Sequence, residues 1–166
     1  MEKGIVEVYC GGGKGKTTLA IGQSLRACVQ GSSVIIIQFL KGNERRELDF
    51  LEDMEDLDIK IFRFERSEKC YEDLSEQEKE EQKINIINGM NFARKVITTQ
   101  ECDLLVLDEI LGLLDYDIVT TEQVNELLKA KSESMDIILT GRCLHEDLRR
   151  HVDSVTTLET EEVESR

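Results

Sequence analysis

The segment Gly11-Gly12-Gly13-Lys14-Gly15-Lys16-Thr17-Thr18 has the residue types that hold a polyphosphate. Glycines let successive backbone N–H groups curl around anionic oxygens without Cβ obstruction, and a helix starting behind them adds favourable potential for negative charge. Lys16 is spaced to reach phosphate oxygens as a point charge, and the Thr17 hydroxyl to join the shell of a Mg²⁺ ion. The common phosphate loop, G-x-x-x-x-G-K-[ST], would place its first glycine at position 10, which here is Cys10; the glycine comes one residue later, at Gly11. The loop is therefore one residue short. It is expected to seat phosphates differently from an ordinary ATPase loop, which must bring water in line with the terminal phosphate.

A second candidate element is Leu104-Leu105-Val106-Leu107-Asp108-Glu109, an apolar strand ending in two acids. Carboxylates at the carboxyl end of a strand beside a phosphate loop are placed to bind Mg²⁺, directly or through water. Adjacent residues leave a strand on opposite sides, so one of the two is expected to face the metal first-hand. Alone this would read as an acidic turn after a core strand; with the glycine loop it reads as the metal half of a nucleotide site. Other reactive types stay unpromoted. His145 and His151 fall on one predicted helix at i and i+6, which is not one face, so they read as solvated rather than as a metal pair. Cys10 reads as a small packing residue rather than a reactive thiol.

Apolar or β-branched runs at Ile5–Tyr9, Val34–Phe39, Ile59–Phe64, Leu104–Leu107, Ile137–Thr140 and Ser154–Leu158 predict strands. Helical periodicity separates them. The first helix opens at the glycine loop and runs toward Gly31, a natural stop. The longest begins at Ser75, where Ser75-Glu76-Gln77-Glu78 has the form of a capping box, and its expected apolar stripe is Ile84, Ile87, Met90, Ala93 and Val96–Ile97. A second box, Thr120-Thr121-Glu122-Gln123, opens a helix carrying Val124, Leu127 and Leu128. Alternating strands and helices imply one α/β domain over residues 1–166, with a mostly parallel sheet of about six strands covered on both faces.

With 40% hydrophobic and 34% charged residues, the composition is that of a globular chain. A net charge of −14 argues against nucleic acid as a partner, although a local basic loop can still hold a nucleotide. No apolar run approaches the roughly 20 residues needed to span a bilayer. The start, Met1-Glu2-Lys3-Gly4, has no signal-peptide pattern. Five scattered cysteines form no C-x-x-C pair and read as reduced thiols. A cytoplasmic protein without membrane or nucleic-acid partners is expected.

Several segments together resemble the P-loop ATP:corrinoid adenosyltransferase family of cobalamin synthesis and salvage. That family carries a short G-x-G-K-G-K-T-T loop, matched by Gly11 through Thr18. Gln38-Phe39-Leu40-Lys41-Gly42, Asn43-Glu44-Arg45, Leu107-Asp108-Glu109 with Tyr116-Asp117, Thr140-Gly141-Arg142 and Asp153-Ser154-Val155-Thr156 follow in the family's order. The similarity extends from about Ile5 to Leu158, and its specific parts are the short loop and the Thr-Gly-Arg element.

The resemblance implies a P-loop NTPase-like fold and a transfer. Reduced cobalt of a corrinoid attacks the 5′ carbon of ATP, and triphosphate leaves. It implies that Gly11, Gly12, Gly13, Lys14, Gly15, Lys16, Thr17, Thr18 and Arg142 hold the nucleotide. Lys16 and Glu109 would act in catalysis, and Thr17, Asp108 and Glu109 would organise Mg²⁺. It further implies ATP and a reduced corrinoid as substrates, an electron-donating reductase as partner, and a homodimer. The chain departs from the family in its mostly acidic residues Glu159 through Arg166, where the family has a basic, glycine-containing tail. An N-terminal extension seen in some relatives has no counterpart. Where relatives carry aromatic residues near the corrinoid, the chain offers Phe50, Phe62, Phe64 and Tyr71 but no Trp. Two other readings stay open: an ordinary Mg·ATP-dependent ATPase or kinase, and a nucleotide-binding regulatory protein without corrinoid chemistry.

Overall fold

Strands that are apolar on both faces belong inside a sheet covered on both sides, and every residue of β2 (Val34–Gln38) and β4 (Leu104–Asp108) is buried. The computed structural model describes residues 2–40, 48–65 and 67–164, so Lys41-Gly42 and Asn43-Glu44-Arg45 lie outside the described residues. Around β2 and β4 stand β1 (Val6–Cys10), β3 (Ile59–Arg63), β5 (Asp136–Thr140) and β6 (Ser154–Thr157). The six strands form one sheet in the order β3-β2-β4-β5-β1-β6, with every pairing parallel.

Alternate residues of each strand feed two apolar layers. Val8, Ile35, Ile37, Leu105, Leu107 and Leu139 pack with α3 (Glu76–Thr99), α4 (Ile110–Asp115), α5 (Thr121–Lys129) and α6 (Glu146–Arg149). Tyr9, Ile36, Ile61, Val106 and Ile138 pack with α1 (Lys16–Val29) and α2 (Asp49–Glu52). Both expected capping boxes are formed, with the Ser75 and Thr120 hydroxyls accepting from the N–H groups of Glu78 and Gln123. α1 ends at Val29, just before Gly31, whose φ of +91° ends helical geometry.

Two expectations are corrected. The buried stripe of α3 is Gln82, Ile86, Gly89, Ala93, Val96 and Ile97, and Ile84 and Ile87 face outward at 64% and 51% exposure. Gly89 sets this rotation: a Cβ there would sit 2.7 Å from Phe39 and 2.8 Å from Phe64, so the helix approaches β2 and β3 along its glycine. The helix expected to carry both histidines is short. His145 is the residue capping α6, and His151 lies beyond its end.

Candidate functional site

The strand register places the site. β5 lies between β1 and β4, so Asp108 is not on the strand next to the phosphate loop, as the acid-ending strand had suggested. The first turn of α1 closes the gap. Its Thr17 hydroxyl donates to both carboxylate oxygens of Asp108, at 3.0 and 3.2 Å. Thr140, at the end of the intervening strand, donates to Asp108 Oδ1 at 2.7 Å and accepts the Glu109 N–H at 2.8 Å. Gln38, directly across from Asp108 in the β2–β4 register, donates from Nε2 to Oδ2 at 3.1 Å. Asp108 is only 1% exposed, and a buried carboxyl group must find its hydrogen-bond partners inside the protein.

Glu109 has already left the strand. Its φ of +65° puts it in the left-handed region, where it starts α4, so strand alternation does not decide between the two acids. A non-glycine residue held there costs about 1–3 kcal/mol and is a mark of functional sites. Leu40, also at the cavity, has a φ of +54°. Glu109 lines a cavity of about 990 Å³ that opens over the loop, and Gly112 leaves room beside its carboxylate, 3.5 Å from where a Cβ would stand. The cavity is lined by Gly12, Gly13, Lys14, Gly15, Lys16, Thr17 and Thr18, and Arg142 also lines it.

Within the loop, Lys16 Nζ donates to the carbonyls of Gly11 and Gly13, at 2.9 and 2.8 Å. The lysine thus braces the turn. The chain beyond β6 runs against it, a contact the sequence did not reveal. The Gly13 N–H donates to the Leu158 carbonyl and the Lys14 N–H to the Thr160 hydroxyl, both at 2.8 Å. Gly11 donates to the Arg142 carbonyl. The N–H groups of Gly11, Gly13 and Lys14 therefore have protein acceptors, although the cavity lining runs from Gly12 through Thr18. Lys14 also forms an exposed ion pair with Glu162 at 3.6 Å. Cys10 ends β1, buried beside Thr157.

Part of the cavity lining is aromatic. The Tyr71 and Tyr116 rings lie 4.6 Å apart, and the Tyr116 hydroxyl donates to Glu72 at 2.8 Å. Burial, then the hydrogen bond and the charge of Glu72, push the Tyr116 phenol up to about 12, so it stays protonated at neutral pH. Phe62 and Phe64 pack on Phe92 instead, and Phe50 is exposed, so of the four aromatic residues expected near a corrinoid only Tyr71 lines the cavity. Cys70 and Asp115 also line the cavity, with Asp115 held 3.1 Å from His145. Tyr116 was visible in the sequence only as part of a motif.

The donor set at Thr17, Asp108 and Glu109 consists of hydroxyl and carboxylate oxygens, which suits a hard cation. Because the Thr17 proton is committed to Asp108, its oxygen keeps lone pairs for a ligand. Among the described residues no group of three His, Cys, Asp or Glu side chains could cage a metal alone. Magnesium needs no such cage, since one or two carboxylates with phosphate oxygens and water satisfy it.

Fold and cavity together define a P-loop α/β nucleotide-binding domain. A KaiC-like protein from Pyrococcus horikoshii shares the fold, with a TM-score of 0.62, 18% identity, and coverage of 98% of this chain and 75% of that one. The sequence model of the ATP:corrinoid adenosyltransferase BtuR/CobO/CobP family matches residues 2–164, and the chain belongs to that family. It is 31% identical over 160 residues to a corrinoid adenosyltransferase of Salmonella typhimurium, covering 95% of this chain and 77% of the relative. It is 29% identical to one from Escherichia coli with the same coverage. No helix among the described residues is long and apolar enough to cross a membrane.

Proposed function

We propose that the chain transfers the 5′-deoxyadenosyl group of ATP to the reduced cobalt of a corrinoid. The cobalt(I) electron pair forms the bond to C5′, the C5′–O5′ bond breaks, and its electrons leave on triphosphate. The observation that carries this reading, beside family membership, is one cavity lined both by the glycine-rich turn and by a tyrosine pair. Bound Mg²⁺ would neutralise charge on the triphosphate, held by Thr17 and Glu109 with Asp108 aligning the threonine. Lys16, the loop N–H groups and Arg142 would stabilise the same charge as the carbon–oxygen bond breaks. The corrinoid supplies the nucleophile, so no side chain need act as one. A reductase that delivers electrons to cobalt, a homodimeric assembly and a cytoplasmic location complete the proposal.

Incubation with Mg²⁺, ATP and chemically reduced corrinoid tests it through the corrinoid absorption spectrum. The spectrum should shift to that of an alkylated, light-sensitive corrinoid; an unchanged spectrum would count against transfer. A second reading, nucleotide binding without corrinoid chemistry, draws support from the acidic strap at the loop, where Glu162 meets Lys14. It requires tight ATP binding with no turnover.

A further inference from the structure

Gln38 belongs to a motif whose purpose neither the loop nor the acidic pair explains. Its side chain is 3% exposed, and its Nε2 donates to Asp108 Oδ2 at 3.1 Å. Its Oε1, two bonds from that nitrogen, is buried without a hydrogen-bond partner among the described residues. A buried acceptor left unpaired is unfavourable, and native structures retain few of them without a reason. This one stands beside the carboxylate that accepts the Thr17 proton.

We propose that Gln38 is a positioning residue of the cation site. Its amide N–H fixes the Asp108 carboxylate that aligns the Thr17 oxygen, and its amide oxygen accepts a hydrogen bond from water in the cation's shell. The two functions suit an amide, which carries a donor and an acceptor on one planar group. A carboxylate would bring a second negative charge against Asp108, and an apolar residue would offer neither atom. The proposal rests on the Mg·ATP reading of the cavity. Partners that orient metal ligands from behind typically change metal affinity by about 10- to 100-fold when removed.

The test is calorimetric titration of the intact chain with ATP, once with Mg²⁺ and once with a chelator, for wild type and Gln38→Met. The Met side chain is unbranched and of similar length, so it removes both polar atoms with little change in volume. Expected is a loss of about tenfold or more in the Mg²⁺-dependent part of the affinity, with metal-free ATP binding unchanged. If Gln38→Met does not fold, Gln38→Asn carries the same test, because it keeps the amide but withdraws it from Asp108 by one methylene. Wild-type Mg²⁺ enhancement retained in the variant overturns the proposal alone. Equal losses with and without metal also overturn it, since that pattern belongs to a packing role. A wild type whose ATP affinity ignores Mg²⁺ overturns the metal reading of the site and this proposal with it.

Discussion

Asp108 and Lys16 are charged residues whose surroundings meet them in different ways. Asp108 is buried, and neutral donors from three separate elements meet its charge: Thr17, Gln38 and Thr140. Lys16 has its ammonium on the carbonyls of Gly11 and Gly13. Lys16→Ala therefore removes two things, the charge for phosphate and the brace of the turn. A hydrogen bond involving a charged group contributes about 1.5–3 kcal/mol, so ATP affinity should fall by roughly 10- to 100-fold. Calorimetry with Mg·ATP measures this, and unchanged affinity would remove the loop from the site. The grouping of Lys16, Thr17, Asp108 and Glu109 was legible in the sequence because it follows from residue type and local spacing. Gln38 and Thr140 were not, because their contacts with Asp108 depend on strand register across 70 and 32 residues. No local pattern encodes that register.

At the scale of elements, the capping boxes of α3 and α5 and all six strands were legible, since each is written in contiguous residues. The face of α3 was not, because Gly89 rather than the isoleucines decides which side meets the sheet. The strap beyond β6 was equally hidden: it meets the loop through the Leu158 carbonyl and the Thr160 and Glu162 side chains, a set with no sequence signature. That contact makes the loop's glycines unequal. A Cβ at Gly13 would stand 2.6 Å from the Leu158 carbonyl carbon and oxygen, whereas one at Gly12 would meet nothing within 4 Å. Gly13→Ala should push the strap away and destabilise the fold by about 1–3 kcal/mol, the usual cost of overpacking. Gly12→Ala should leave thermal stability close to wild type. Denaturant melts of the two variants compare them directly; equal stability would mean that the strap does not constrain the loop.

For the whole molecule, the net charge of −14 and the anionic substrate pose the decisive question of what leaves ATP. An overall negative surface repels polyphosphate, so the proposed binding would be local, through the cationic lining residues Lys14, Lys16 and Arg142 and the N-terminus of α1. Glu109 in the lining and Asp108 behind Thr17 become compatible with triphosphate when a cation stands between them. A hydrolase would use this arrangement to expel the terminal phosphate toward water. The tyrosine pair, its rings inclined at 45°, instead adds aromatic surface to the same cavity, which the proposed transfer would use against the corrinoid. Phosphorus NMR of the turnover mixture separates the two chemistries. With ATP, Mg²⁺ and cobalt(I) corrinoid, intact triphosphate should accumulate in step with the alkylated corrinoid, and omitting the corrinoid should leave ATP unconsumed. Steady formation of ADP and phosphate that ignores the corrinoid would mean that water reaches the terminal phosphate, and the chain would be acting as an ATPase.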